Sequence, residues 1–370
     1  MKFLKDLCKA QPVLVISFIA AAATMFVIPP DGEYIGYCNF GVLAELFALM
    51  IAVAGLRSVG LFEKLTDLLL KKAGTVRRLS VIFIVVCFFS SMLITNDVAL
   101  ITFVPLTILT FANIDDERSR IITIVLETAA ANLGSMLTPI GNPQNLYIYD
   151  EYGMTAMQFV QTMLPIGALS LVCLILLSLL VSKEQCSSKN THHRKISYKH
   201  VAVYSLLFAV CIAAVFKVVP FWVCAAAAAA VALIFDRHLL LKADYALLST
   251  FICFFIFVGN ISRIDAVYNF FSGILSGSEI IVSALLSQVI SNVPVTVMLS
   301  GFTDNGTALL IGVNVGGLGT PIASMASLIS LQMYRLTDNA NSKKYMAWFS
   351  AVNFSMLALL LTISVALWQH

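Results

Sequence analysis

Thirteen apolar blocks run along this 370-residue chain, and several approach the length a bilayer demands. They lie at 12–28, 40–56, 79–94, 98–112, 121–137, 157–181, 201–216, 221–235, 246–258, 280–290, 293–302, 308–331 and 345–368. A crossing helix needs about 20 apolar residues, so the longer blocks are candidate spans. With 59% hydrophobic and only 12% charged residues, the composition excludes a soluble globular protein. The fold class expected is an all-α polytopic membrane protein. A net charge of +3 implies no nucleic-acid surface.

Several blocks are too short to span. Blocks 280–290 and 293–302 each cover roughly 15 Å at about 1.5 Å per residue, half of a ~30 Å hydrocarbon core. They read as a helical hairpin that enters and turns back at Ser291-Asn292. Near the midplane, irregular backbone survives only where protein or a water-filled cavity surrounds it. Thr95-Asn96-Asp97 offers the same arrangement between longer limbs, which leaves both a re-entrant hairpin and two full spans open there.

The most informative pattern is internal. Asn132, Gly134, Thr138, Pro139 and Ile140 recur at the same spacing as Asn314, Gly316, Thr320, Pro321 and Ile322, each set following a polar turn. A weaker echo pairs Ala54-Gly55 with Val258-Gly259, each followed by an amphipathic stretch. Counting the span 40–56 itself, five crossings precede its counterpart 246–258, an odd number, so the two repeats are expected to be inverted, each with a hairpin and a broken transmembrane helix. The boundaries expected are 1–182 for the first repeat, 183–218 for a linker with a connecting helix, and 219–370 for the second.

Orientation follows from Lys and Arg, which accumulate in cytoplasmic loops. With the N-terminus inside, 21 of the 23 basic residues fall inside and only Lys217 and Arg263 outside, placing the C-terminus outside. That parity needs the first span retained, although Lys2, Lys5 and Lys9 before an apolar run also resemble a signal peptide.

Gly and Pro within a span interrupt its hydrogen bonds and expose carbonyls at one broken end and amides at the other. Residues 137–145 and 316–324 are such breaks. Carbonyl ends suit Na⁺ and amide ends suit an anion. Charges inside a bilayer are costly, so Asp97, Glu127 and Glu45 need a reason to be there. Asp97, on the first turn, is the best candidate for contact with a coupling cation or proton. Glu127 reads equally as a coupling residue or a structural hydrogen-bonding group, and Glu45 as a residue reaching the interface. His192 and His193 lack metal-ligand spacing, and the eight cysteines, with no CxxC pair, read as small buried hydrophobes. No metal, catalytic group or cofactor is expected beyond Na⁺ or H⁺ as coupling ion. No hydrolase motif is present, and the run 225–230 of alanines permits close helix approach.

These residues resemble the ion transporter superfamily, which includes divalent anion:sodium symporters, citrate transporters, arsenite permeases and some sodium/proton antiporters. The turns Thr95-Asn96-Asp97 and Ser291-Asn292-Val293-Pro294 carry the likeness, with the stretch Thr138 to Asn145 and Gly319-Thr320-Pro321. The resemblance implies substrate contacts at Asn96, Asp97, Asn142, Asn292, Thr320 and Pro321. It implies cation contacts at Thr95, Asn96, Asp97, Gly141, Ser291, Asn292 and Gly319. Asp97 and Val293 stand where those symporters carry a third turn residue, Thr. An anionic Asp97 repels a carboxylate unless protonated or paired with Na⁺, and an Asn-Asp turn looks closer to the arsenite permease branch.

The function expected is therefore secondary active transport of a small anion or organic acid by alternating, elevator-like access. An arsenite-type permease or a sodium/proton antiporter is the nearest alternative, and an ion channel the alternative of another class; an enzyme is not expected. The partners expected are a small anionic substrate, a coupling cation, the lipid bilayer and a second copy in a homodimer.

Overall fold

A computed structural model describes residues 11–60, 74–111, 114, 116–185, 197–337 and 340–368. Among the described residues the secondary structure is helical, apart from one isolated bridge between Thr75 and Gln185. Besides one short turn of helix at Tyr34–Tyr37, the α-helices are α1 Pro12–Met25, α2 Phe40–Ser58, α3 Val76–Ile94, α4 Asn96–Phe111, α5 Glu117–Ser135, α6 Pro143–Glu151, α7 Ala156–Leu177 and α8 Tyr198–Val215. They continue as α9 Phe221–Phe235, α10 Tyr245–Ser262, α11 Asp265–Leu275, α12 Glu279–Ile290, α13 Asn292–Ser300, α14 Gly306–Val315, α15 Met325–Arg335 and α16 Ser342–Trp368.

Their starts follow local chemistry. Side-chain oxygens of Asn39, Thr75, Asp116, Asp244 and Asn305 accept the otherwise orphaned amides of Val42, Arg78, Ser119, Leu247 and Ala308. Thr155 and Gln158 form a reciprocal capping box at α7. Pro12 and Pro143 stand in first turns, where a missing N–H costs nothing.

Among the described residues six helices, α2, α3, α7 (extended to Leu180), α8, α10 and α16, are long and apolar enough to cross a membrane. Many apolar side chains of the chain face outward: on the shorter α9, Cys224, Ala228 and Ala232 are buried while Trp222, Leu233 and Ile234 are exposed. Apolar surface of this extent is a lipid-facing surface. The chain is a multi-pass membrane protein.

The helices pack as two groups. Helices α1, α2, α8, α9 and α10 pack on one another, and α3, α4, α5, α7 and α12 to α16 form a second body, with α6 touching both. In the second body α3 crosses α5 so closely at Gly134 that a methyl group there would press on the Phe88 carbonyl and the Ser91 hydroxyl. Buried Ser80 and Thr123 hydroxyls bond at 2.6 Å across the same crossing.

Three expectations are refined. Block 308–331 is two helices, α14 and α15, because the Gly316–Ser324 stretch leaves the helical path. Glu45 does not reach the surface: it is buried, within electrostatic reach of Asp150 and Lys217, because α9 and α6 cover that part of α2. The first hairpin has unequal limbs, 19 residues in α3 and 16 in α4, and α3 alone is long enough to cross. After α10, the short α11 buries only Leu275 and bends by 108° into α12, as an amphipathic stretch lying on the surface would. Its counterpart after α2 lies outside the described residues, as do His192 and His193.

Candidate functional site

Both polar turns have the same unusual backbone. Thr95 sits at φ 67°, ψ 152° and Ser291 at φ 72°, ψ 152°. This region is essentially reserved for glycine and costs another residue about 1–3 kcal/mol, so the surroundings must hold it in place. The next residue in each case, Asn96 or Asn292, opens a helix. Each hairpin therefore presents the amide end of a new helix at its tip, and both asparagines are buried.

The turn asparagines are fastened differently. Asn96 Nδ2 donates to Asn132 Oδ1 at 3.0 Å, and its own Oδ1 accepts the Asp97 amide at 2.9 Å. The Asn292 amide donates to the Ala323 carbonyl at 3.0 Å, and the Ser291 hydroxyl to the same oxygen at 3.3 Å. Asp97 is sealed at Oδ1, and that oxygen has no hydrogen-bond partner among the described residues.

The two breaks fall as expected. Helix α5 ends at Ser135, a short 3-10 turn covers Pro139–Gly141, and Asn142 caps α6 by accepting the Asn145 amide at 3.0 Å. Asn145 Nδ2 then satisfies carbonyls at the broken end, Ser135 at 3.2 Å and Thr138 at 3.1 Å. A side chain on Gly141 would strike the Ser135 carbonyl. In the second copy α14 ends at Val315, and Gly319 turns at φ 99°. Thr138 donates its hydroxyl to the Met92 carbonyl, and Thr320 donates its own to the Gln288 carbonyl at 2.8 Å. Met92 and Gln288 each stand three residues before a strained turn, so each break is tied to its own hairpin at an equivalent point.

The two copies also bond across to each other. Ser324 donates to Asn132 Oδ1 at 2.9 Å, Asn142 Nδ2 to Asn314 Oδ1 at 3.3 Å, and Asn314 Nδ2 to Asn145 Oδ1 at 2.6 Å. Both turns and both breaks thus meet in one buried polar cluster. Of the residues expected at the site, Asn96, Asn142, Ser291 and Asn292 sit in it. Gly141, Gly319 and Thr320 shape its backbone, Thr95 and Asp97 flank it, and Pro321 is half-buried beside it. Asn132 and Asn314 were visible as repeat positions but not as site residues. Ser135, Asn145, Gln288 and Ser324 were missed, and for Gln288 the available signal was a lone amide in an apolar limb.

Glu127 is buried away from the cluster, its Oε1 accepting from the Thr107 hydroxyl at 2.7 Å while Oε2 has no partner among the described residues. A recess of about 550 Å³ opens between the two bodies, lined by Asn39, Phe221 and Phe255 on one side and Tyr147, Glu151 and Ser300 on the other. Beside it, Asp150 of α6 accepts from Asn39 at 2.7 Å and pairs with Lys217 at 3.0 Å, fastening α6 to the first body. The Asp150 carboxylate raises the affinity of the Lys217 amine for its proton.

Bilayer-length helices enclosing matched turns and broken helices define the class: a multi-pass membrane transport protein. The citrate transporter family matches residues 8–307, and the chain belongs to that family. It is 34% identical over 294 residues to an uncharacterized transporter of Methanocaldococcus jannaschii, covering 78% of this chain and 79% of that one. It is 32% identical over 300 residues to the inner membrane protein YbiR of Escherichia coli, covering 80% of each. A shorter likeness, 32% over 155 residues, joins 40% of this chain to 31% of the silicon efflux transporter LSI3 of Oryza sativa. Among solved structures, the YdaH transporter of Alcanivorax borkumensis has the same fold, with a TM-score of 0.58 at 13% identity over 90% of this chain and 86% of that one.

Proposed function

We propose that this member of the citrate transporter family is a secondary active transporter for a small anion or organic acid, driven by Na⁺ or H⁺. The observation that carries the reading is the buried cluster in which equivalent residues of two sequence repeats bond across to each other. A site built from two related halves that run oppositely through the membrane can be exposed to either side by similar motions. The repeats are read as inverted, with the N-terminus cytoplasmic and the C-terminus outside. The second body carries the cluster and slides against the first, in the manner of an elevator.

The substrate is held at Asn96, Asp97, Asn142, Asn292, Thr320 and Pro321. Amide nitrogens and helix N-termini at the turns supply hydrogen bonds to an anion. The coupling cation is held near Asp97 by oxygens of the turns and breaks, at Thr95, Asn96, Gly141, Ser291, Asn292 and Gly319. An Asp97 neutralised by Na⁺ or a proton no longer repels an anionic substrate, which makes cation and substrate binding cooperative.

A second reading, an arsenite-type permease carrying a weak oxyacid, is favoured by Asp97, since a neutral oxyacid is not repelled by a carboxylate. The likeness to a silicon efflux transporter supports the same reading. Counterflow into proteoliposomes decides between them, with carboxylates, sulfate and arsenite offered in turn, with and without Na⁺. Saturable exchange of a carboxylate is expected. Exchange of arsenite alone selects the second reading, and flux without saturation or exchange, as through a channel, rejects both.

A further inference from the structure

Positions 92 and 288 are equivalent: each precedes its strained turn by three residues, and each offers its main-chain carbonyl to the threonine of its own break. Their side chains differ. Gln288 places Nε2 between the carbonyls of Ala284 and Gly316, at 2.9 and 2.8 Å, and its Oε1 accepts the Thr320 amide at 2.9 Å. The second break is thereby closed by one carboxamide, donor against carbonyl and acceptor against N–H. A side chain on Gly319 would collide with that carboxamide, so the glycine with its φ of 99° makes room for it. In the first copy the corresponding residues are Met92, which has no amide to give, and Leu137.

The turns differ in the complementary sense. Asp97, with an unpartnered and sealed Oδ1, stands in the first copy where Val293 stands in the second. A buried carboxylate oxygen without a donor is costly until a cation or a proton reaches it. The second copy has no anionic side chain at its turn, and the –NH₂ of Gln288, positively polarised, already lies against its carbonyls.

We propose that the chain binds one coupling cation rather than a symmetric pair, centred on Asp97 of the first copy, and that the Gln288 carboxamide takes the place of the second, so that Ser291, Asn292 and Gly319 hold no cation of their own. This deepens the transport reading above and rests on it. The consequence is a fixed stoichiometry of one coupling ion per transport cycle.

Ion counting on the purified full-length chain tests this. Radioactive Na⁺ bound per chain is measured at mildly alkaline pH; if none binds, the protons carried per substrate are counted from the pH change that accompanies uptake into proteoliposomes, for the parent and for each variant separately. One ion is expected in the parent and none in Asp97→Asn. Gln288→Glu puts an oxygen where Nε2 faces two carbonyl oxygens, an arrangement that only a cation or proton can hold together, so one further ion is expected. Two ions in the parent overturn the proposal without recourse to any variant. So does an ion retained in Asp97→Asn, or no gain in monodisperse Gln288→Glu. Failure of the transport reading is separate, because it appears as absent counterflow whatever the ion count.

Discussion

Ser324 donates to Asn132 at 2.9 Å, and the relation repeats with the copies exchanged: Asn142 donates to Asn314 at 3.3 Å. Asn142 stands ten residues after Asn132, and Ser324 ten after Asn314. Each copy therefore uses the residue opening its second half-helix to hold the asparagine that closes the other copy's first. The cluster depends on both copies keeping register, which couples the two halves mechanically.

Removing the Asn142 arm leaves the buried Asn314 Oδ1 without a donor, at a cost of about 1–3 kcal/mol, whereas after loss of the Ser324 arm Asn132 Oδ1 still accepts from Asn96 and the cost is smaller. Ser324→Ala and Asn142→Ala should each lower the unfolding temperature. Because the four side chains share one network, the double variant should lose less than the two single losses added. Strict additivity in a double-mutant cycle would mean that the arms act independently.

The strained turns give a prediction of opposite sign. Glycine adopts the backbone of Thr95 and Ser291 freely, so Thr95→Gly should be at least as stable as the parent, by up to about 1–3 kcal/mol. Ser291→Gly should gain less, since it also gives up the hydroxyl bond to Ala323. Thermal unfolding decides this. A destabilised Thr95→Gly would show that the side chain, and not the backbone, holds the turn.

How far these features were legible in the sequence depends on their physics. Hydrophobic block length located the spans, and Gly-Pro punctuation located both breaks, because missing N–H groups and absent side chains act locally. The recurrence of Asn132 and Asn314 exposed the repeat. The partners Ser135, Asn145 and Ser324 carried no such signal, since which polar groups meet is fixed by packing between distant segments. Glu45 was misread for the same reason: a charge near a helix end is exposed unless another helix covers it, and α6 and α9 come from later in the chain. Gln288 has no polar counterpart at Met92, so the repeat could not point to it.

Gly134 and Gly316 should not accept alanine. A methyl group on Gly316 would lie 2.7 Å from Ala284 Cα, and one on Gly134 would press on the Phe88 carbonyl. In both cases the obstacle is backbone of the adjoining helix, so overpacking of about 1–3 kcal/mol is expected from each substitution. Unchanged stability in either variant would mean that the crossing can open without loss.

The Lys217–Asp150 pair has a defined pH behaviour. The folded chain raises the pKa of Lys217, so its stabilisation is fully present below the unfolded value of about 10.4 and disappears as the pH rises through the higher folded value. Lys217 is 62% exposed, which limits the pair to under about 1 kcal/mol. The stability difference between the parent and Lys217→Met should therefore be small and constant across neutral pH, closing only in strong alkali. A difference that changes around neutrality would assign the link to another group.

Glu127 separates coupling from structure. Its bonded oxygen accepts from the Thr107 hydroxyl at 2.7 Å, and Glu127→Gln can keep that contact through its amide oxygen while its –NH₂ replaces the unpartnered Oε2. With the coupling ion assigned to Asp97, Glu127→Gln should accumulate substrate against a gradient as the parent does. Glu127→Ala should instead lose about 1–3 kcal/mol of stability by stranding the Thr107 hydroxyl in a dry interior. Accumulation measured in proteoliposomes under an imposed Na⁺ or H⁺ gradient distinguishes the two. Exchange that persists in Glu127→Gln while uphill accumulation is lost would move the coupling site from the hairpin turn to α5.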